Sequence, residues 1–218
     1  PSGQLYNLYG PTEAAVNCTF FKFPKGFSEA KAPIGKPILN YEIFILDEKM
    51  RPVEPGEIGE IFIGGTKPVV GRGYWNRPEE TAEAMRGGWF HTGDMGRFDE
   101  DGYLYIVDRK KDMIVVSGYN VYPIELENVI MRHPKIMDCA VIGVPSEYQG
   151  ESVKAVLVAK PGADPTAEEI EAYCREHMAN FKVPKYYVFR DSLPKNATGK
   201  VLKRVIRDQE GGITKAKV

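Results

Sequence analysis

Short runs of β-branched and aromatic residues, separated by turn-forming residues, dominate the first half of the chain. Tyr41-Glu42-Ile43-Phe44-Ile45-Leu46-Asp47 is one such run, and Gly56-Glu57-Ile58-Gly59-Glu60-Ile61-Phe62-Ile63-Gly64-Gly65 is the next. Both predict strands. The Asp and Pro residues between Asp47 and Pro55 favour a turn over a ladder, so the two strands pair as a hairpin. A short helix is predicted from Arg77 to Met85, with Pro78 in its first turn, Glu79 and Glu80 near its start and Gly87-Gly88 as the stop. Met95 to Phe98 and Tyr103 to Val107 flank the turn Asp99-Glu100-Asp101-Gly102 and predict a second hairpin.

After Asp108-Arg109-Lys110-Lys111-Asp112 the pattern changes to alternating strands and amphipathic helices. Val121 to His133 carries Leu126, Val129 and Ile130 at helical spacing, and Pro134 ends it. Asp138 to Val144 and Ser152 to Ala159 predict strands around a loop from Pro145 to Glu151. The linker Lys160 to Pro165 leads into Thr166-Ala167-Glu168-Glu169, whose Thr and Glu have capping-box spacing, followed by the apolar stripe Ile170, Tyr173, Cys174 and Met178. Tyr186 to Phe189 is a last strand and Lys200 to Asp208 a last short helix. The fold expected is α/β, or more closely α+β: a β-rich part over 1–110, a small α+β domain over 111–208 and a tail over 209–218.

Composition narrows the classes. The 218 residues include 43% hydrophobic and 27% charged, which excludes disordered, collagenous and coiled-coil chains. A net charge of −1 leaves no global field for nucleic acid, so any anion site is local. Cys18, Cys139 and Cys174 are widely spaced and flanked by apolar residues, which suits buried reduced thiols and a cytoplasmic setting. No apolar run reaches the ~20 residues of a membrane span.

Three stretches carry residues able to do chemistry. Tyr6-Asn7-Leu8-Tyr9-Gly10-Pro11-Thr12-Glu13 places a ring, a forced turn, a hydroxyl and a carboxylate within the five residues Tyr9 to Glu13. Those are parts a nucleotide site uses: a face for a base, a donor for phosphate and an acid for Mg²⁺. A turn capping a helix is the commoner use of such a segment taken alone. Phe90-His91-Thr92-Gly93-Asp94 also has two readings, because a carboxylate on a glycine turn accepts both hydroxyls of a ribose or caps its own turn. In the third stretch, Pro194-Lys195-Asn196-Ala197-Thr198-Gly199-Lys200 is a Pro/Gly loop within a region, Lys182 to Arg204, that holds seven basic residues against Asp191 alone. An ammonium on such a loop suits charge neutralisation at a transferring phosphoryl group, and a solvated loop with surface lysines is the alternative. The charge run Asp108 to Asp112 is either a solvated run or a hinge. Ile63-Gly64-Gly65-Thr66-Lys67-Pro68 resembles a phosphate-cradling loop but lacks the full spacing, so it is read as a hairpin connection.

These pieces occur together and in order. Tyr9 to Glu13, then Gly59 to Gly64 with Gly73-Tyr74, then Thr92-Gly93-Asp94, then Asp108 to Asp112 with Ser117-Gly118-Tyr119-Asn120, then Pro194 to Lys200, resemble the later core motifs of the adenylate-forming superfamily. That family comprises acyl-CoA synthetases, peptide-synthetase adenylation domains and luciferases. The wording from Val107 to Pro123 looks most like the fatty acyl-CoA ligases.

The resemblance implies a two-step ligase that uses ATP, Mg²⁺, CoA and a small-molecule carboxylic acid. By similarity, Tyr9 packs near adenine on the Gly10 turn, Thr12 contacts the α-phosphate and Glu13 holds Mg²⁺. Asp94 and Arg109 bind the ribose, and Lys200 neutralises charge during adenylation. Lys111 resembles the hinge of a mobile C-terminal domain that presents Gly118 for thioester formation. Some relatives place a lysine for that step just before the Ser117-Gly118 turn, where this chain has Val115 and Val116. The family's phosphate loop lies upstream of the Tyr-Gly-Pro-Thr-Glu motif, and the chain begins eight residues before Tyr9. The chain is therefore expected to be part of a longer enzyme whose upstream remainder is its partner, with weak nucleotide binding and no turnover by itself. An adenylation module that loads a carrier protein is the other enzymatic reading.

Overall fold

In the computed structural model, which describes residues 3–29, 31–65 and 69–210, the chain divides into two units, Pro1–Lys110 and Lys111–Val218. The first unit holds two antiparallel sheets. β1 (Tyr6–Tyr9), β2 (Thr19–Lys22) and β3 (Lys36–Pro37) form one in that order, while β4 (Glu42–Leu46), β5 (Gly59–Gly64), β6 (Phe90–Phe98) and β7 (Leu104–Arg109) form a four-stranded meander. On β4, Ile43 and Ile45 are buried while Glu42 and Phe44 are exposed, the period of two that a strand with one covered face requires. All six residues of β5 are buried. Ile61 and Ile63 join Ile43, Ile45, Phe90 and Leu104 in the core of this unit. α1 (Pro78–Ala84) has Pro at its start and two acids in its first turn, as its sequence predicts.

The meander is interrupted at one place. Glu60 pairs with Met95 and Phe62 with His91, so the single residue Ile61 on β5 faces Thr92, Gly93 and Asp94 on β6. The extra residues bulge from the ladder. Thr92 Oγ1 donates to the Ile61 carbonyl at 2.7 Å and accepts from the Asp94 amide at 3.0 Å, which pins the bulge at both ends.

The second unit is built on one mixed sheet. β8 (Ile114–Val116) and β9 (Tyr119–Val121) form a hairpin, followed by α2 (Pro123–Ile130), the long hairpin β10 (Ile136–Ser146) and β11 (Gly150–Ala159), α3 (Ala167–His177), β12 (Tyr186–Phe189) and α4 (Lys203–Glu210). β11 is central: it pairs antiparallel with β10 and β8 and parallel with β12. Both faces of the sheet are covered, so β10 and β11 read as near-continuous apolar runs. Cys139 and Val141 pack under Leu126, Ile130 and Ile170 on one face, and Ala140, Ile142 and Val156 pack with Leu193 and Ile206 on the other.

Several boundaries differ from the sequence reading. Val121 belongs to β9, and α2 starts at Pro123 because Tyr122, preceding a proline, is held extended. Most of the expected loop from Pro145 to Glu151 is ladder, with Pro145 paired to Glu151 and Ser146 to Gly150. α4 begins at Lys203 and runs to Glu210, into the expected tail, because Glu210 is anchored to Lys154. Of the phosphate-loop lookalike, Thr66, Lys67 and Pro68 lie outside the described residues. A Cβ at Gly64 would lie 2.4 Å from the Trp89 ring, so close packing accounts for that glycine. The three cysteines are free and buried, and burial pushes the Cys18 and Cys174 thiols up to about 12 and about 11.

Candidate functional site

In the first unit the turn after β1 is tight and strained. A Cβ at Gly10 would lie 2.5 Å from the Val16 carbonyl oxygen, so only glycine lets the chain fold back there. Thr12–Ala14 forms one 3-10 turn. Ala15 and the β-branched Val16 then take positive φ, 53° and 73°, and are held by Val16 N donating to Pro11 O and Cys18 N to Tyr9 O. Strain of this kind, kept by surrounding hydrogen bonds, is typical of functional turns. It leaves the Thr12 side chain exposed and Glu13 half-buried.

The Glu13 carboxylate is oriented by Tyr74, whose hydroxyl donates to Glu13 Oε1 at 2.6 Å. That hydrogen bond, with burial second, raises the Tyr74 phenol to about 12, so it stays a donor at neutral pH. The other Glu13 oxygen has no hydrogen bond among the described residues. One oriented carboxylate of this kind fits Mg²⁺, which keeps several waters and takes one or two protein carboxylates beside substrate phosphates. No group of three or more potential metal ligands occurs among the described residues, so a cage made of protein alone does not fit.

Three elements converge on Asp94. Tyr9, at the end of β1, donates its hydroxyl to Asp94 Oδ2 at 2.7 Å. Arg109 is the register partner of Asp94 across β6 and β7, and its Nε lies 3.6 Å from Oδ1. Burial, reinforced by the Asp94 charge, pushes the Tyr9 phenol far above its ordinary value and keeps it neutral. A carboxylate has about four lone-pair sites, so Asp94 can still accept from a pair of hydroxyls while held by Tyr9 and Arg109.

Behind the bulge stands a residue the sequence reading gave no role. Glu60 is 7% exposed. Its Oε1 accepts from the Gly93 amide at 3.3 Å and its Oε2 from Lys110 Nζ at 2.8 Å. The signal was a charge inside the apolar run of β5. Tyr74, which orients Glu13, carries no chemical signal in the sequence beyond its place in the Gly73-Tyr74 motif.

In the second unit, the Lys200 loop is built around one side chain. Asn196 Oδ1 accepts from the Thr198 amide, the Thr198 hydroxyl and the Lys200 amide at 2.8–3.0 Å, and Gly199 takes φ 82°. This fixes the backbone and leaves the Lys200 side chain exposed. The basic excess from Lys182 to Arg204 is largely compensated by acids from other elements. Lys182 pairs with Glu125, Arg190 with Glu210, Lys195 with Asp138 and Lys203 with Glu127. Lys200 has no ion pair among the described residues.

Ser117 and Gly118, with φ 50° and 84°, form the two-residue turn of the β8–β9 hairpin. Val115 before it is exposed and Val116 is buried. Lys111 is exposed between two anchored neighbours: Lys110 is held by Glu60, and Asp112 lies 2.8 Å from Arg207.

Residues 1–75 match the family model described as AMP-binding enzyme, and residues 125–200 match that of the AMP-binding enzyme C-terminal domain. The chain is 46% identical over 206 residues to a long-chain-fatty-acid–CoA ligase of Yersinia pestis and 45% identical over 209 residues to one of Bacillus subtilis. These matches cover 94% and 95% of the chain but only 36% and 37% of the relatives. Among solved structures, ATP-bound MatB from Rhodopseudomonas palustris superposes with a TM-score of 0.86 at 36% identity, covering 97% of this chain and 41% of that one. The o-succinylbenzoate CoA synthetase MenE of Bacillus subtilis, in complex with its acyl-adenylate intermediate, gives 0.83 at 32% identity, covering 99% and 42%.

Proposed function

Because the chain belongs to the AMP-binding enzyme family, we propose that it forms the C-terminal part of an ATP-dependent acid–CoA ligase, and that its two units are the β-rich end of the nucleotide-binding domain and a mobile C-terminal domain. The observation that carries this reading is the convergence of Tyr9, Asp94 and Arg109 beside the strained Gly10 to Glu13 turn. The Bacillus and Yersinia relatives, both long-chain-fatty-acid–CoA ligases, favour CoA as acceptor and a fatty acid as substrate.

In the first half-reaction the substrate carboxylate attacks the α-phosphorus of ATP. A bond forms between carboxylate oxygen and phosphorus, the bond to the β-phosphate oxygen breaks, and pyrophosphate leaves. Asp94 accepts the ribose hydroxyls and thereby fixes where the α-phosphate lies. Arg109 supports that carboxylate, and Tyr9 offers its ring to the adenine while its hydroxyl holds Asp94. Thr12 donates to the α-phosphate, and Glu13, oriented by Tyr74, would hold Mg²⁺, which supplies charge neutralisation at the phosphates. Lys200, whose ammonium is not committed to a carboxylate, contributes the same neutralisation at the developing charge. In the second half-reaction the CoA thiolate attacks the acyl carbon, the bond to the phosphate oxygen breaks, and AMP leaves. A thiol needs the space an ammonium occupies in the first step, so one domain that turns about Lys111 and offers Lys200 and then the Gly118 hairpin serves both steps.

The test is a chimera in which these 218 residues replace the matching segment of the Bacillus subtilis ligase. Acid-dependent pyrophosphate release followed by CoA-dependent AMP release supports the reading. A chimera that folds but releases pyrophosphate with no acid overturns it.

A further inference from the structure

Glu60 lies in β5, where every residue from Gly59 to Gly64 is buried. A carboxylate at such a position loses its hydration, and strand packing is served as well by an apolar residue, so its presence needs its partners to explain it. Those partners are the Gly93 amide at 3.3 Å, Lys110 Nζ at 2.8 Å and, farther off, His91 Nδ1 at 4.0 Å. Gly93 is the middle residue of the bulge that presents Asp94, and it takes φ 68°. Lys110 is the last residue of the first unit.

One oxygen thus holds the bulge and the other holds the segment that enters the Lys110–Lys111 junction. We propose that Glu60 is a positioning residue that couples the set of the Asp94 bulge to the backbone at that junction. The inference rests on the proposed roles of Asp94 in ribose binding and of Lys111 as a pivot. Loss of the Lys110 contact lets the Glu60 carboxylate shift, which loosens Gly93 and with it the Asp94 carboxylate. Because linkage is reciprocal, a nucleotide on Asp94 in turn strengthens the Glu60–Lys110 contact. A carboxylate that merely satisfied its own strand would transmit nothing between these two places.

The experiment is an AMP titration of the isotopically labelled 218-residue chain followed by NMR at the Gly93 and Asp94 amides. Lys110→Met removes the ammonium from a side chain that is 51% exposed but leaves the buried Glu60 without its charged partner, so a cooperative melt of this variant is recorded beside the titration. Glu60→Gln keeps the size and the acceptor toward Gly93. Each is expected to weaken AMP about 3- to 10-fold, with the double variant no weaker than the worse single one, as for residues acting through one contact. Lys110→Met also shifts the Gly93 amide resonance, and Lys110→Arg restores both readouts. If Glu60→Gln fails to melt cooperatively, the Lys110→Met and Lys110→Arg pair decides alone. Parental AMP affinity with an unshifted Gly93 resonance in Lys110→Met overturns the inference, as do strictly additive losses. Asp94→Asn separates the two levels: if it binds AMP like the parent, the proposed ribose role fails, whereas loss in Asp94→Asn without effect in Lys110→Met leaves that role standing and removes Glu60 from it.

Discussion

The Tyr9 hydroxyl donates to Asp94 Oδ2 at 2.7 Å, joining residues 85 positions apart in sequence. Since burial and the Asp94 charge keep the phenol protonated, the bond holds a carboxylate that also stands opposite Arg109 across β6 and β7. Asp94 is therefore aimed from β1 and β7 at once.

Tyr9→Phe removes that donor and keeps the ring. A hydrogen bond to a charged group contributes ~1.5–3 kcal/mol, and because this one is present without nucleotide only part of that appears in binding, so AMP affinity should fall about 3- to 10-fold. Asp94→Asn should cost more, because the ribose contact itself changes. Calorimetric titration with AMP and with ATP–Mg²⁺ measures both. A Tyr9→Phe protein that binds as tightly as the parent would show that the hydroxyl positions nothing.

Lys200→Ala in the chimera is expected to lower the rate of adenylate formation by ~10²–10³, the usual loss for one electrostatic contact to a transition state. Thioester formation from supplied acyl-AMP should be spared. Because the side chain is exposed with no ion pair among the described residues, the melting temperature should not move. Equal losses in the two half-reactions would remove the assignment.

Lys111→Pro fixes φ between two anchored residues. Under the hinge proposal the two half-reactions of the chimera should respond unequally, and single-turnover measurements of each detect it. Parental rates in both would leave Lys111 an ordinary surface charge.

Acid should weaken the second unit through Glu210. Its burial pushes the carboxyl up, but hydrogen bonds from Lys154 and Arg190 outweigh burial and hold it below its ordinary value. A folded pKa below the unfolded one contributes stability above the unfolded value, about 4.3, and that contribution is lost as pH falls below it. Glu210→Gln leaves Lys154, 1% exposed, without its charged partner and should cost ~3 kcal/mol at neutral pH. Thermal melts of parent and variant from pH 7 to pH 3 should converge at the acid end. A constant gap would mean that the pair does not carry the effect.

Much of this architecture was legible because it is written locally. Glycine and proline turns, β-branched runs and the Thr166 cap, whose side chain accepts from the Glu169 amide as its spacing implies, act through the dihedral preferences of a few neighbouring residues. The family resemblance rested on the same local wording, and the motif residues Tyr9, Asp94 and Arg109 do meet in one place. The reading failed where strands extended one another, as at Pro145 to Glu151, since a ladder is decided by the partner strand and not by the residues it contains.

By itself the sequence determined which segments turn, which pair with a neighbour and which residue types stand at each motif. Only the tertiary structure decided what those residues face. Five of the seven basic residues from Lys182 to Arg204 take their partners from elsewhere: Lys182 from α2, Lys185 from Gln149, Arg190 from α4, Lys195 from β10 and Lys203 from α2. Glu60, an odd charge in a strand, acquired a role only when three residues of β6 bulged past Ile61 and brought Gly93 within reach. Dihedral preferences act over a few residues, whereas a hydrogen bond or ion pair depends on separation in space, and distances such as Glu60 to Lys110 are set by sheet register over the whole unit.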